Sequence, residues 1–340
     1  MLTKINLTNF KSFLNTSLEM RPLTVLTGLN SSGKSSVIQA INMVAAAYQK
    51  KTVALHEHAS PHLLKSLYSK DSFFVLVIQD DKGNNFEMKI HVTPDEYSLQ
   101  KIKHSDNKVL PAIQYISASR LGPQNALPTN PEYSYSKIGL KGEYVIDYIE
   151  KNRDMTIARS LIKTPSGLAS LTDNIDAWLQ YISPGSSLEY EINRRQNTAY
   201  PYYNGFMPTE SGFGLSYTLP VITVLLAAEP DTVVLLENPE AHLHPQGQTA
   251  MGELTALAAA MGKQVIIETH SDHVIDGIRI MARRKQIDNT CVVFHYISKD
   301  GKNNPSTVET PELLPDGKLS FWPRGFFDQN MLNKAELLKK

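Results

Sequence analysis

Cysteine is nearly absent from this chain of 340 residues; Cys291 is the only one. No internal disulfide framework can form, which fits a reducing compartment. Within "NTCVVFHYI" the thiol reads as a buried strand residue rather than a nucleophile. Net charge is lacking too, because 34 Lys and Arg balance 34 Asp and Glu. That argues against a chain dedicated to gripping nucleic acid by overall positive charge. Only local basic faces remain, at "MARRKQ" (281–286) and at Arg194 and Arg195. Long apolar runs are missing: "LPVITVLLAA" (219–228) is too short to span a bilayer. The opening "MLTKINLTNFKSF" alternates like a strand and does not resemble a secretory segment, so a cytoplasmic protein without a membrane partner is expected. Zinc patterns are absent as well. His242, His244, His270 and His273 have no cysteine beside them and form no H-E-x-x-H. The "HLHP" run reads instead as a loop that precedes a helix and contacts a partner chain.

What is present is an α/β pattern. Residues 4–27 give two strand-like runs, the second being "LTVLT" (23–27), and a Gly/Ser loop and a helical run (34–50) follow. Residues 73–105 alternate as a meander of antiparallel strands, with a turn at "DDKGNN". "AIQYISA" (112–118) reads as a further buried strand. From about 125 the chain turns rich in Pro, Asn and Ser, then alternates short helices with short strands. From 212 onward helices alternate with continuous apolar strands at 232–237, 264–269 and 290–297, which predicts a mainly parallel sheet flanked by helices. The expected division is 1–124, an inserted mixed subdomain at 125–205, and 206–340.

Four stretches carry chemistry. "GLNSSGKSS" fits G-x-x-x-x-G-K-[ST] through Gly28, Gly33, Lys34 and Ser35, between a strand and a helix. Glycines let such a loop curl so that backbone N–H groups, here including those of Asn30, Ser31, Ser32 and Ser36, face phosphates. Lys34 can reach the β- and γ-phosphates, and the Ser35 hydroxyl can ligate magnesium. "TVVLLE" ends a buried strand on Glu237, at the sheet edge where open α/β sheets bind ligands. "IIETHSDH" places Glu268 and His270 two residues apart after another buried strand. His270 can sense a γ-phosphate there, and Ser271 or Asp272 can cap the next helix. "ESGFGLSYTLPVITVLL" puts Ser211, Gly212 and Gly214 before an apolar helix, whose N-terminus is an anion site that a second chain could use.

Together these residues resemble the ABC-type ATPase heads of the RecF, SMC and OLD group, and especially the compact prokaryotic AAA-like ATPases associated with antiphage systems. "INLTNFKSF", "LTVLTGLNSSGKSSVIQAI", "YISASRLGP", "GFGLSYTLPVI", "LLENPEAHLHPQGQ", "ETHSDHVIDGIR" and "WPRGFFDQN" match that group in order. Residues 125–205 match none of its motifs. The resemblance implies a two-lobed P-loop NTPase head whose first lobe is rich in antiparallel strands. It implies ATP with magnesium held between the phosphate loop of one chain and the signature (Ser211, Gly212, Gly214) of the other, in a head-to-tail homodimer. It also implies that Glu237 and Gln124 attend the magnesium and that Lys11 approaches the nucleotide. The sequence departs from that pattern in two places, the first at one residue. The usual "DEP" is "ENP" here, so Asn238 stands where a water-activating glutamate belongs. An amide orients water but takes no proton from it at neutral pH. Glu240 and Glu268 are the acids that can substitute. The expected function is therefore a slow ATPase switch controlling a partner effector such as a nuclease in genome defence. An ATP-binding scaffold and a DNA-clamping repair ATPase are the alternatives. The second departure is an absence: OLD-type nucleases carry a C-terminal acidic nuclease domain, and no clustered acids able to hold two metals follow the last strand here, so this chain alone is not expected to be a nuclease.

Overall fold

A computed structural model describes residues 1–48, 63–93, 97–102, 110–131, 137–301, 303–326 and 329–339. The chain forms two compact units: residues 1–111 with 290–314 and 318–340, and residues 112–289 with 315–317. These are drawn differently from the expected division, because the C-terminal strands return to the first unit and residues 125–205 belong to the second. The centre of the Pro/Asn/Ser-rich run (132–136) and part of "WPRGFFDQN" lie outside the described residues.

Elements are numbered in chain order. The first unit holds β1 (Leu2–Phe10), β2 (Phe13–Glu19), β3 (Leu23–Gly28), α1 (Lys34–Tyr48), β4 (Phe73–Asp80), β5 (Asn85–Val92), β6 (Tyr97–Ile102), β13 (Val292–Lys299), β14 (Ser306–Glu309) and α7 (Gln329–Leu337). One antiparallel sheet runs β2-β1-β4-β5-β6, the expected meander with a hairpin added. Its alternation is real: Phe74, Leu76 and Ile78 of β4 and Phe86, Met88 and Ile90 of β5 are buried. The 4–27 stretch makes three strands, not two. Asn9 and Lys11 adopt left-handed φ values of 55° and 48°, and Phe10 pairs with Phe13 across the tight turn. β3, buried from Leu23 to Thr27, pairs in parallel with β13, with Leu23 opposite Val292 and Gly28 opposite Ile297, and β14 returns antiparallel along β13. Cys291 is only half-buried and precedes β13 in a short 3₁₀ turn, so the buried-strand expectation for it fails.

The second unit holds β7 (Ile113–Ile116), β8 (Leu127–Pro128), α2 (Val145–Lys151), α3 (Leu171–Ile182), β9 (Leu188–Asn193), β10 (Thr198–Tyr203), α4 (Phe213–Ala227), β11 (Val233–Glu237), α5 (Pro245–Ala260), β12 (Gln264–Glu268) and α6 (Asp272–Arg283). β11 lies between β7 and β12, parallel to both. All five residues of β11 and all five of β12 are buried, as apolar runs without alternation require. Helices α5 and α6 cross closely: a Cβ at Gly252 would lie 2.2 Å from the Val274 carbonyl oxygen, and one at Gly277 would lie 2.2 Å from that of Thr249. The 125–205 stretch contributes the small sheet β8-β10-β9 with α2 and α3. Trp178 of α3 is buried and donates its indole N–H to the Leu161 carbonyl at 2.8 Å. Among the described residues no helix is long and apolar enough to cross a membrane.

Candidate functional site

In the first unit the loop between β3 and α1 is shaped by missing side chains. Gly28 sits at φ 139°, and a Cβ there would lie 1.9 Å from the Ile297 carbonyl oxygen. Gly33 sits at φ 111°, with a Cβ position 2.6 Å from Ser12 Oγ and 2.9 Å from the Phe13 ring. Ser31 is left-handed at φ 60°. Such a curled backbone turns successive N–H groups to one side, which is how a loop cradles phosphate. Lys34 is buried, and its ammonium donates to the carbonyls of Gly28 (3.1 Å) and Leu29 (2.7 Å). A phosphate group would compete for those protons. Ser35 is half-buried in the first turn of α1, Ser36 is buried, and Asn30 is exposed. Lys11 donates its Nζ protons to the Gln39 side-chain oxygen on α1. The hydroxyls of Ser12, Thr27 and Ser32 are buried without a hydrogen-bond partner. Buried polar atoms normally find partners, so these orphans fit a loop built for a polar guest.

In the second unit the acids gather at strand ends. Glu237 ends β11 and Glu268 ends β12, paired in register and both buried. Glu237 accepts the Ala118 N–H at 3.0 Å. Tyr115 stands beside them, its phenol pushed up by burial and by Glu237. Asn238 takes φ 47°, donates its N–H to the Glu268 carbonyl at 2.8 Å, and buries its side-chain oxygen without a partner. Glu240 is also buried. It accepts the His270 N–H at 2.8 Å on one carboxylate oxygen, while the other has no partner. Burial raises its pKa. His270 is more exposed, with Nε2 3.9 Å from Glu268 Oε1. β12 ends at Glu268, so this proximity comes from the following turn and not from strand alternation. Ser271 caps α6 by accepting the Val274 N–H at 3.1 Å, as expected.

Sequence reasoning missed the centre of this cluster. Arg120 is buried, and its guanidinium donates to three carbonyls: Ser117 (3.0 Å), Glu237 (2.6 Å) and Asn238 (2.6 Å). It lies 5.6 Å from the Tyr217 ring of α4. Burial pushes it down to about 10, with Glu240, Tyr217 and Glu237 opposing, so it stays charged at neutral pH. The signal was an arginine just after a strand, within the quoted "YISASRLGP"; that strand, β7, was expected to be buried but buries only Ile116 of its four residues. Tyr217 also meets His242 at 4.7 Å between rings, and Phe213 meets it at 5.7 Å.

The signature forms the open N-terminus of α4. Gly212 is the N-cap without a side-chain cap, and Gly214 packs so close that a Cβ would lie 2.8 Å from the His242 carbonyl oxygen. Ser211 donates its hydroxyl to the Met207 carbonyl at 3.2 Å. His244 caps α5, as the loop-before-helix reading expects. Gly212, Gly214, His242, His244, Gln246 and Pro184 line one open groove. Gln124 is exposed and lines a different, small cleft with Tyr203 and Pro220. Among the described residues no cluster of three or more His, Cys, Asp or Glu could hold a metal alone. Magnesium needs no such cluster, because it uses one or two protein oxygens and completes its shell with phosphates and water.

A family model described as an AAA domain, putative AbiEii toxin, type IV TA system, matches residues 23–276. A second, described as a protein of unknown function (DUF3696), matches residues 287–337. No curated protein matches the chain. Among solved structures, an Smc head bound to the C-terminal winged-helix domain of ScpA superposes with a TM-score of 0.56 at 16% identity, covering 92% of this chain and 98% of that one. An Smc head with an extended coiled coil, bound to the C-terminal domain of ScpA derived from Pyrococcus furiosus, gives 0.54 at 14% identity, with 99% of both chains covered. The fold is that of an ABC-type ATPase head.

Proposed function

The chain belongs to the AAA domain family described as putative AbiEii toxin, and on that premise we propose that it is an ATPase switch. It binds ATP with magnesium, hydrolyses it slowly where two copies meet head to tail, and thereby controls a partner effector such as a nuclease in genome defence. The curled loop from Gly28 to Ser36 with buried Lys34 carries this reading.

The loop N–H groups and Lys34 hold the β- and γ-phosphates. Ser35 in the first unit would offer its hydroxyl to magnesium, and Glu237 in the second unit is the acid that the resemblance to ABC-type heads assigns to the metal, which would supply positive charge against the phosphate oxygens. Asn238 orients water without accepting its proton. Glu268 takes that proton: it ends a strand beside Glu237 and lies near His270. Glu240 supports the site from behind, because its one bonded oxygen holds the His270 backbone. Ser211, Gly212 and Gly214 meet the γ-phosphate of the second copy, with His270 sensing its presence. The open N-cap at Gly212 and the exposed Phe206, Met207 and Phe213 around it support a face used by another chain. The Smc heads bound to ScpA domains are similar heads that carry a protein partner.

Asn238 favours a second reading, an ATP-binding scaffold with almost no turnover. One assay separates the two: turnover and association state with ATP, for wild type, Lys34→Ala, Asn238→Ala, Glu240→Gln and Glu268→Gln. The switch predicts turnover abolished by Lys34→Ala, cut roughly a hundredfold by Glu268→Gln, and reduced only several-fold by Glu240→Gln. ATP-driven association without turnover in wild type would establish the scaffold. Turnover untouched by Lys34→Ala would sink both.

A further inference from the structure

The C-terminal stretch matched to a family of unknown function includes β13 and β14. Both strands touch the phosphate loop within the first unit. Ile297 of β13 lies opposite Gly28, so closely that only glycine fits there. The first residue of β14, Ser306, is buried and makes two bonds to the loop's surroundings. Its N–H donates to the Ser12 carbonyl at 2.8 Å, and Ser12 Oγ faces Gly33. Its hydroxyl donates to the Ser32 carbonyl at 2.5 Å.

The second bond has a geometric consequence. Among the described residues no peptide bond is cis, and in a trans peptide the C=O and the following N–H point in opposite directions. A hydroxyl that holds the Ser32 carbonyl toward β14 therefore turns the Gly33 N–H away from β14. We propose that Ser306 is a positioning residue for the triphosphate: it presets the Ser32–Gly33 peptide so that the Gly33 N–H faces the phosphates. The job of the C-terminal β13–β14 pair is thus to form the back wall of the nucleotide loop. This rests on the reading that the loop binds ATP.

The test uses the full chain and a ribose-labelled fluorescent ATP analogue with magnesium. Ser306→Ala, Ser306→Thr and Lys34→Ala are compared with wild type. Thr255→Ala serves as a control, since it also removes a buried hydroxyl-to-carbonyl bond, in α5. Ser306→Ala is expected to weaken binding about tenfold, the worth of one preset hydrogen bond to a charged group. Ser306→Thr keeps the hydroxyl and should stay within about threefold of wild type, and Thr255→Ala should bind as wild type does. Should Ser306→Ala fail to fold, Ser306→Cys replaces it, because a thiol is a near-isosteric but weak donor. It should then bind several-fold more weakly. Wild-type affinity in Ser306→Ala or Ser306→Cys, with binding lost in Lys34→Ala, overturns the role of Ser306 and leaves the ATP reading standing. An equal loss in Thr255→Ala also overturns it, by showing a mere stability effect. Absence of binding in wild type, or binding unchanged in Lys34→Ala, overturns the ATP reading and this proposal with it.

Discussion

On the function proposed above, the two units serve phosphate chemistry in opposite ways. The loop of the first unit is made of backbone: its key positions are those where a side chain is missing, at Gly28 and Gly33. The strand ends of the second unit are made of buried charge: Glu237, Glu240, Glu268 and Arg120 sit under the surface, and Glu237, Glu240 and Arg120 are held by backbone groups. A backbone cradle needs shape, and it fails when something is added. A charged cluster needs compensation, and it fails when a partner is removed.

Adding one methyl group at Gly28 gives the sharpest test of the first half. The φ of 139° strains any L-residue, and the new Cβ would meet the main-chain oxygen of Ile297 at 1.9 Å, which no rotamer change relieves. Gly28→Ala should weaken ATP binding by more than about a hundredfold and destabilise the fold by roughly 2–4 kcal/mol. Titration with labelled ATP and urea unfolding read the two effects. Near-normal binding would show that the loop is adaptable and not preset, and the contrast between the halves would weaken.

For the second half the corresponding test is Arg120→Lys. The charge remains, but the planar fork is lost, and one ammonium on a shorter reach does not serve three carbonyls in the same geometry. At least one buried carbonyl loses its partner, at a cost of about 1–3 kcal/mol. The main chain at Asn238 then loosens, so turnover should fall by roughly ten- to a hundredfold through misplacement alone. Affinity for ATP should change little, because the phosphate loop belongs to the other half. A large loss of affinity with unchanged turnover per bound ATP would reverse these assignments.

The same difference explains what could be read from the sequence. The curled loop at Gly28 and Gly33 and the helix that starts at Lys34 were legible, since G-x-x-x-x-G-K-[ST] after an apolar strand marks a tight turn into a helix. The strands β11 and β12 and their terminal acids were equally legible, because continuous apolar runs mark a buried parallel sheet. Arg120 was not legible as a site residue: its three acceptors are carbonyls, which carry no side-chain signature, and two of them are more than a hundred residues away. Ser306 was hidden for the same reason. Its partner is a carbonyl at Ser32, and β14 is too short to show a period. The turn at Lys11 was missed because Asn9 and Lys11 adopt left-handed backbone without a glycine. Cys291 was misplaced because it lies just outside the edge of β13, which begins at Val292, where apolar pattern ends and turn geometry takes over.

Lys263 gives the smallest expected effect on ATP chemistry and isolates the cost of buried charge. It is buried beyond the end of α4, where its ammonium donates to the carbonyls of Leu225 and Leu226 (3.0 Å for the latter). Burial pushes its pKa down to about 7, against about 10.4 for a free lysine. Between those values the unfolded chain holds a proton that the folded chain lacks. Stability therefore falls as pH drops from about 10 toward 7, and levels off once the folded form is protonated too. The full shift corresponds to roughly 3–5 kcal/mol. Lys263→Met removes the titrating group, so the slope of unfolding free energy between about pH 7 and 10 should flatten. Turnover at neutral pH should stay within about twofold, since Lys263 contacts the far end of α4 and not its glycines. A wild-type profile already flat over that range would mean that the ammonium is better solvated than its burial implies. The second unit would then owe its order less to buried charge than Arg120 and the acids indicate.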